Sequence, residues 1–277
     1  MAASLKEDLE ARHDDDRYPD DRHDPRRRAT ALNRTLRTEA ELRDINERFY
    51  DRLWTDAKLI APERFNTWPL VSELSTTSSR CLEVAPGLRP RLPIDGTCFV
   101  DMSLPAVSRL NAQGAKVVRG LISALPFADR QFDLVCAFDI VEHVEDGEGA
   151  LAELSRVAAP GAVLLLAVPL YEARWTPFDD LVGHHRRYEP AQLQALLASR
   201  GFTIERSAPY GMQPRSSWLL DLGMWFLEHR RQRALWWYNH VFMPMQTRWQ
   251  KPLSFVDGLG DTGGVDEVLL VCRKLAS

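Results

Sequence analysis

Short apolar runs alternate with amphipathic segments along most of the chain after residue 80. The apolar runs predict seven strands, at 81–84, 97–101, 115–119, 132–138, 162–169, 202–206 and 267–272. Between several of these strands, apolar residues recur at helical spacing and predict three helices: one with Leu104, Val107 and Leu110, one with Leu151, Leu154 and Val157, and one with Leu193, Leu196 and Leu197. Pro160 and Gly161 are expected to end the second of these helices. The run at 162–169 is apolar throughout, which is typical of a central parallel strand. The alternation predicts parallel βαβ units and therefore an α/β fold.

Two regions before this core differ from it in pattern. Residues 1–28 are mostly polar or charged, so we expect a mobile tail there. Apolar residues at helical spacing, from Leu42 to Leu53, predict a helical segment within 29–79. This segment either caps the core as a lid or packs directly against the sheet. The α/β domain itself is expected at 80–277.

The stretch at about 212–263 interrupts the α/β pattern before the last strand. It holds five of the eight tryptophans, together with Phe226, Tyr238 and Phe242. Buried helical packing is one interpretation of this insertion. A hydrophobic substrate pocket, a homodimer interface and a membrane-surface contact are the alternatives.

Composition narrows the functional classes. The formal net charge is −4 at pH 7 and the pI is about 6.0, so no global positive field favours nucleic acid. The four cysteines lie in predicted strands and form no Cys-x-x-Cys pair, which is typical of reduced core thiols. The first residues do not resemble a signal peptide, and no uncharged stretch reaches the roughly 20 residues of a membrane span. We therefore expect a cytoplasmic protein with no membrane span, and nucleic acid is disfavoured as a partner.

Three motifs lie at the ends of predicted strands or lead into them. Residues 83–87, Glu-Val-Ala-Pro-Gly, place a carboxylate and a glycine after the first strand, and glycine permits close approach of the backbone to a ligand. The second strand ends in Asp101, whose carboxylate can accept both hydroxyls of a ribose. Residues 125–129, Leu-Pro-Phe-Ala-Asp, lead into the fourth strand.

Together these motifs resemble the nucleotide-binding half of class I S-adenosylmethionine-dependent methyltransferases, in particular the large group that includes the ubiquinone-pathway methyltransferases. The resemblance covers roughly residues 80–210 and the last strand. It implies a Rossmann-like sheet of seven mostly parallel strands and S-adenosyl-L-methionine as the cofactor. The cofactor-binding residues that it implies are Glu83, Ala85, Gly87, Asp101, Met102, Ile122, Leu125, Phe138 and Asp139.

The chain departs from the family pattern at three places. Ala85 replaces the first glycine of the loop. Pro90 and Pro93 predict that the helix after the first strand is short or absent. Leu121 stands where relatives carry an acidic residue for the adenine amino group, so we expect backbone near Ile122 to make that contact.

Methyl transfer from a sulfonium is an in-line displacement that depends above all on orientation. The string at 183–188, Gly-His-His-Arg-Arg-Tyr, resembles a loop that lines the acceptor site in relatives. We predict that His184 or His185 is the general base for a hydroxyl acceptor, because imidazole titrates near neutral pH. The competing interpretation is that one of them bonds an acid such as Asp180 and only fixes the loop. His143 is expected to be structural.

The predicted function is methyl transfer, without a metal, to oxygen or nitrogen of a bulky, partly hydrophobic or aromatic small molecule. Some relatives hold a divalent ion with a string resembling Asp139, Glu142 and His143 plus a downstream histidine, so a metal-assisted O-methyltransferase is an alternative. A non-methylating scaffold of the same fold and a nucleic-acid methyltransferase are others. An NAD-dependent dehydrogenase is disfavoured, because the loop lacks Gly-x-Gly-x-x-Gly.

Overall fold

An eight-stranded sheet forms the centre of the molecule, in the order β3-β2-β1-β4-β5-β8-β6-β7. The computed structural model describes residues 38–211, 223, 225–227 and 229–276, so the predicted tail at 1–28 and residues 212–222 of the insertion lie outside the described residues. The strands are β1 (Cys81–Val84), β2 (Thr97–Asp101), β3 (Lys116–Arg119), β4 (Phe132–Phe138), β5 (Ala158–Pro169), β6 (Phe202–Tyr210), β7 (Val256–Asp257) and β8 (Glu267–Lys274).

The sheet has a parallel half and an antiparallel half. Strands β1 to β5 pair in parallel, whereas β8 runs antiparallel to both β5 and β6, and β6 is antiparallel to β7. The Rossmann-like, mostly parallel sheet is confirmed, but the count of seven strands is wrong. The added strand, β7, has two residues that pair with Ser207 and Arg206, which is too short to leave a periodic pattern.

Strand β5 begins earlier than its sequence pattern indicates. Pro160 and Gly161, which predict the end of the preceding helix, lie inside this strand. The register between β4 and β5 shifts between Phe132 and Leu134, and Gly161 has a φ of +78°. A bulge therefore absorbs three extra residues of β5 between Ala158 and Val163, in the segment that holds Pro160 and Gly161, because glycine adopts a positive φ without a Cβ clash.

The α-helices are α1 (Glu39–Thr55), α2 (Trp68–Thr77), α3 (Leu104–Ala112), α4 (Gly147–Val157), α5 (Pro177–Val182), α6 (Pro190–Ser199), α7 (Arg231–Trp237) and α8 (Met243–Arg248), the last two joined by a π-helical turn at Tyr238–Phe242. The stretch between β1 and β2 is fully described and contains no helix, which confirms the expectation from Pro90 and Pro93. Leu104, expected on the buried face of α3, is 56% exposed, because Ala106 and Leu110 face the core instead.

Apolar side chains cover both faces of the sheet. On one face, α4 and α6 pack Leu151, Leu154 and Leu197 against the strands. On the other face, α1 and α3 contribute Phe49, Leu53 and Leu110 to a second cluster. All four cysteines lie in strands as free thiols, as predicted. No described helix combines the length and the apolar composition needed to cross a bilayer.

Candidate active site

A groove lies at the carboxyl ends of β1, β2 and β4, where α/β sheets bind ligands. It consists of two adjoining cavities of about 150 and 130 Å³. Both are lined by the same central residues, which makes them one continuous site. These shared residues are Asn46, Val84, Ala85, Asp101, Met102, Ile140 and His143.

Asp101 occupies the middle of the groove. Its Oδ2 accepts the N–H of Gly87 at 2.9 Å and its Oδ1 accepts the N–H of Ser103 at 2.8 Å. Burial raises the pKa of Asp101 to about 6, although these two hydrogen bonds oppose the shift. Each carboxylate oxygen keeps a further lone pair for a ligand hydroxyl, so the residue fits the ribose-binding role predicted for it.

Glu83 has a different environment at the end of β1. The N–H groups of Arg91 and Leu92 both donate to its Oε2, at 3.0 and 2.9 Å, and that of Arg91 also lies 2.9 Å from Oε1. Burial raises the pKa of Glu83 to about 7. The carboxylate thus organises the loop that replaces the missing helix, while the residue also lines the first cavity.

The loop after β1 has a left-handed backbone at two positions. Ala85 and Gly87 both have a φ of +55°. For an alanine this conformation costs roughly 1–2 kcal/mol, so the glycine-to-alanine departure in the motif is accommodated as strain. At Gly87 a Cβ atom would lie 2.2 Å from the Trp54 ring. Gly87 therefore lies behind the groove wall, where Trp54 covers it.

Helix α1 supplies a wall of the groove that no motif in the sequence indicates. Asn46, Tyr50 and Trp54 line the first cavity. The Asn46 amide lies 2.6 Å from Nδ1 of His143, and the Tyr50 hydroxyl lies 3.3 Å from its Nε2. The spacing of these three residues, four apart on one helix face, is the signal that could have revealed them.

The three histidines near the groove differ in position. His143 lines both cavities, and His185 lines the second. His184 lines neither, and its Nδ1 lies 2.8 Å from Oδ1 of Asp179. Burial, together with the neighbouring His184 and His185, holds the pKa of His143 well below its ordinary value. His143 is therefore a neutral imidazole facing the groove, a position that its predicted structural role did not imply.

Three carboxyl groups with buried oxygen atoms lie near one another, Asp139, Glu142 and Glu267, and Asp139 lines the first cavity. Asp139, with a φ of +50°, hydrogen-bonds Glu267. Burial and the adjacent Asp139 raise the pKa of Glu267 well above its ordinary value, so Glu267 carries the proton of this pair. Glu142 is 1% exposed, and neither of its oxygens has a hydrogen-bond partner among the described residues.

Glu142 also belongs to a cluster with the donor set of a metal site. Ligand atoms of Glu142, His143 and His184 all lie within 4.8 Å of one another. One carboxylate and two imidazoles suit zinc or a similar divalent ion, and the unpartnered carboxylate is the group that such an ion would satisfy. The residues present therefore fit a divalent ion.

The remaining predicted residues divide between the groove and the core. Met102 and Ile122 line the apolar second cavity, and Phe138 lines the first. The structure does not bring Leu125 to either cavity. Its side chain packs in the core and its N–H donates to Glu153 at 2.8 Å, so it supports the loop from behind.

Residues 94–166 match the family model described as a methyltransferase domain. The match covers β2, β3, β4 and most of β5, the strands that carry Asp101 and Asp139. Over these residues the chain is similar to methyltransferase domains. A solved structure shares the fold of the chain. A putative sarcosine dimethylglycine methyltransferase from Galdieria sulphuraria superposes with a TM-score of 0.52 at 17% identity, over 84% of this chain and 98% of that one.

Two curated methyltransferases match shorter segments of this chain. A probable S-adenosylmethionine-dependent methyltransferase of Mycolicibacterium smegmatis is 33% identical over 90 residues, 31% of this chain and 34% of that protein. Norajmaline N-methyltransferase of Rauvolfia serpentina is 48% identical over 42 residues, 15% of this chain and 14% of that protein. The chain therefore spans about a third or less of the length of these curated relatives.

Proposed function

We propose that this methyltransferase transfers the methyl group of S-adenosyl-L-methionine to an oxygen or nitrogen of a bulky, partly hydrophobic small molecule. The observation that carries the proposal is the continuous groove centred on Asp101 at the carboxyl ends of β1, β2 and β4. Asp101 accepts the ribose hydroxyls. The apolar second cavity, with Met102 and Ile122, takes the adenine ring, and the first cavity takes the methionine half.

The walls of the first cavity support a hydrophobic acceptor. Tyr50, Trp54 and Phe138 line it alongside the polar groups of Asp139 and His143. An aromatic wall holds a flat or bulky acceptor in a fixed orientation, and orientation can supply about 7–11 kcal/mol of the barrier to methyl transfer. The name of the Rauvolfia relative, an N-methyltransferase, supports nitrogen as one attacking atom.

For a hydroxyl acceptor, the base comes from the histidines beside the groove. His184 and His185 are the predicted residues, and His143 joins them because it lines both cavities. Single glutamine substitutions separate the three. Substitution of the residue that acts as the base is expected to lower kcat at least tenfold. The same substitution should leave the Kd for S-adenosylhomocysteine within about twofold of the wild-type value. His229→Gln, on the exposed part of the insertion, is the matched control and is expected to leave both unchanged.

The experiment that tests the proposal has two stages. Calorimetry with S-adenosylhomocysteine measures binding, and methyl-labelled cofactor with a small-molecule extract measures transfer. Binding with transfer to an extractable small molecule supports the proposal. Binding without transfer to any small molecule favours the non-methylating scaffold instead. A folded protein that does not bind S-adenosylhomocysteine contradicts both.

A metal-assisted O-methyltransferase is the second candidate, and the Glu142, His143 and His184 cluster favours it. A divalent ion held there would supply a Lewis acid beside the acceptor. Zinc or manganese is then expected to raise the melting temperature of the wild type but not of Glu142→Gln, since binding to the folded state stabilises it. Glu267→Gln removes a neighbouring buried carboxyl outside the cluster and should keep the response. Equal responses in all three proteins would count against a metal at this cluster.

A further inference from the structure

The insertion between β6 and β7 presents an aromatic face that the proposed methyl transfer does not use. The side chains of this aromatic face are all between 44% and 71% exposed: Trp225, Trp236, Trp237, Phe242, Met245 and Trp249. In the part of the chain that the structure describes, every strongly exposed large aromatic side chain belongs to it. Such a concentration of apolar surface is typical of an interaction site.

The exposure of the aromatic face follows from how the insertion is anchored. Ala234, Leu235 and Met243 are buried, and the buried Asn239 donates its amide N–H to the carbonyl oxygen of Leu53 in α1 at 2.9 Å. These residues recur at intervals of one or four along α7, the π-helical turn and α8, so they define the inward side. Because the inward side is fixed, Trp236 and the other exposed aromatic residues have no core position to occupy.

Basic residues flank the central part of the aromatic face, Trp236 to Met245, in the sequence. Residues 229–256 contain five lysines and arginines and no aspartate or glutamate, in a chain whose net charge is −4. Three of the basic residues, Arg230, Arg231 and Arg233, lie at the start of α7, and Arg248 and Lys251 lie at the end of α8 or just beyond it. Among the ion pairs between described residues, none involves these five. Along the sequence, the stretch from Trp236 to Met245 is therefore mostly apolar and has basic residues on both sides, whereas Trp225 lies near Glu228.

We propose that the aromatic face docks onto the surface of an anionic lipid bilayer. Tryptophan suits the interface because its ring is apolar and its N–H stays hydrated, while arginine pairs with anionic headgroups. A second copy of the chain is a poorer occupant. A two-fold interface through this face would bring the same basic residues of two copies close together.

The docking surface is directly connected to the wall of the groove. The Arg89 guanidinium donates to the Tyr238 hydroxyl at 3.1 Å and stacks over the rings of both Tyr238 and Trp54. Arg89 and Trp54 line the first cavity. The insertion that carries the aromatic face therefore also packs against the wall of the first cavity, which suits a lipophilic acceptor that partitions into membranes.

Vesicle flotation with the full chain tests the proposal. The protein is expected to float with vesicles of phosphatidylcholine and phosphatidylglycerol, to bind less as salt increases, and to bind pure phosphatidylcholine far more weakly. The triple variant Arg230→Gln/Arg231→Gln/Arg233→Gln is expected to lose more than tenfold in affinity for the anionic vesicles, and Trp236→Ala/Trp237→Ala a similar factor. Two control proteins carry substitutions elsewhere on the surface and should bind vesicles like the wild type. The double variant Lys58→Gln/Lys116→Gln removes exposed positive charge, and Leu104→Ala removes exposed apolar area.

Tryptophan fluorescence keeps the test decisive if a variant fails to fold. Anionic vesicles with brominated acyl chains are expected to quench the wild-type fluorescence, because the exposed tryptophans enter the interface. Absence of both flotation and quenching with the wild type overturns the proposal. So does a dimer, seen by light scattering without lipid, that Trp236→Ala/Trp237→Ala dissociates, because the aromatic face then serves a second copy. Binding of S-adenosylhomocysteine is measured in parallel and is expected to be unchanged in every variant.

Discussion

Asp179→Asn is expected to lower the free energy of unfolding by about 3–5 kcal/mol. Asp179 is fully buried in α5. Its carboxylate accepts hydrogen bonds from Nε and Nη2 of Arg187, each at 2.9 Å, and also lies 2.8 Å from Nδ1 of His184. The Arg187 side chain is only 1% exposed. Neutralising Asp179 leaves a buried guanidinium without a counter-charge, and water cannot replace the carboxylate. Urea unfolding followed by circular dichroism measures the loss.

A second bidentate pair gives the matched control for this prediction. The Asp133 carboxylate accepts hydrogen bonds from Nε and Nη2 of Arg80 at 3.2 and 2.7 Å. Unlike the Asp179 pair, the Asp133 side chain is 31% exposed and the Arg80 side chain is 52% exposed. Water screens this pair and solvates whichever partner remains, so Asp133→Asn is expected to cost less than about 1 kcal/mol. If the two variants lost similar amounts of unfolding free energy, burial would not be the reason that the Asp179 pair stabilises the fold.

Acid should reduce the difference between the wild type and Asp179→Asn. Burial by itself raises the pKa of Asp179, but the hydrogen bonds from His184 and Arg187 outweigh it and hold the pKa below its ordinary 3.8. A carboxyl with a lowered pKa in the folded state contributes stability above its unfolded pKa and loses it as the pH falls. The stability gap between the two proteins is therefore expected to narrow below about pH 4.

The features predicted correctly from the sequence are those that depend on local pattern. The strand β4 is bounded as predicted, because an apolar run between a loop motif and Asp139 defines both of its ends. Asp101 lines the groove because the final residue of a parallel strand lies at the carboxyl edge of the sheet whatever its neighbours do. The absent helix after β1 was predictable from the chemistry of Pro90 and Pro93 alone.

What the sequence did not predict depends on contacts between distant residues. Glu83 and Asp101 look equivalent as acids at strand ends, yet Glu83 accepts backbone N–H groups eight and nine residues later. Tyr50 and Trp54 reach the groove only because α1 packs over the loop, which no local pattern specifies. Leu125 belongs to a well-matched motif but supports the loop from the core, since a motif does not state which way each side chain points.

Asp101→Asn is expected to weaken the binding of S-adenosylhomocysteine about 100-fold or more. The carboxylate can accept both ribose hydroxyls, and hydrogen bonds to a charged acceptor are worth about 1.5–3 kcal/mol each. About 1.4 kcal/mol corresponds to a tenfold change in affinity. Asparagine accepts with one oxygen only, and its amide N–H₂ faces the N–H of Gly87 or Ser103 without bonding it. Calorimetry near neutral pH measures the change.

Glu83→Gln distinguishes a lost ribose contact from a disordered loop. It also neutralises a buried carboxylate at this sheet edge, but both N–H groups lie within 3.0 Å of Oε2, so a single carbonyl oxygen can retain them. We expect less than a tenfold loss of affinity. Equal losses in Asp101→Asn and Glu83→Gln would mean that the loop, rather than the ribose contact, determines affinity, and would contradict the role given to Asp101.

The pH dependence of binding tests the same contact independently. With its pKa raised to about 6 by burial, Asp101 in the protein without cofactor is partly protonated below neutral pH. Only the ionised carboxylate can accept from both ribose hydroxyls, so affinity is expected to fall below pH 6, by up to about tenfold per pH unit. Binding at pH 6 should release about half a proton, which appears as a dependence of the calorimetric enthalpy on the buffer. In Asp101→Asn both effects should vanish, because the group whose proton is displaced has been removed.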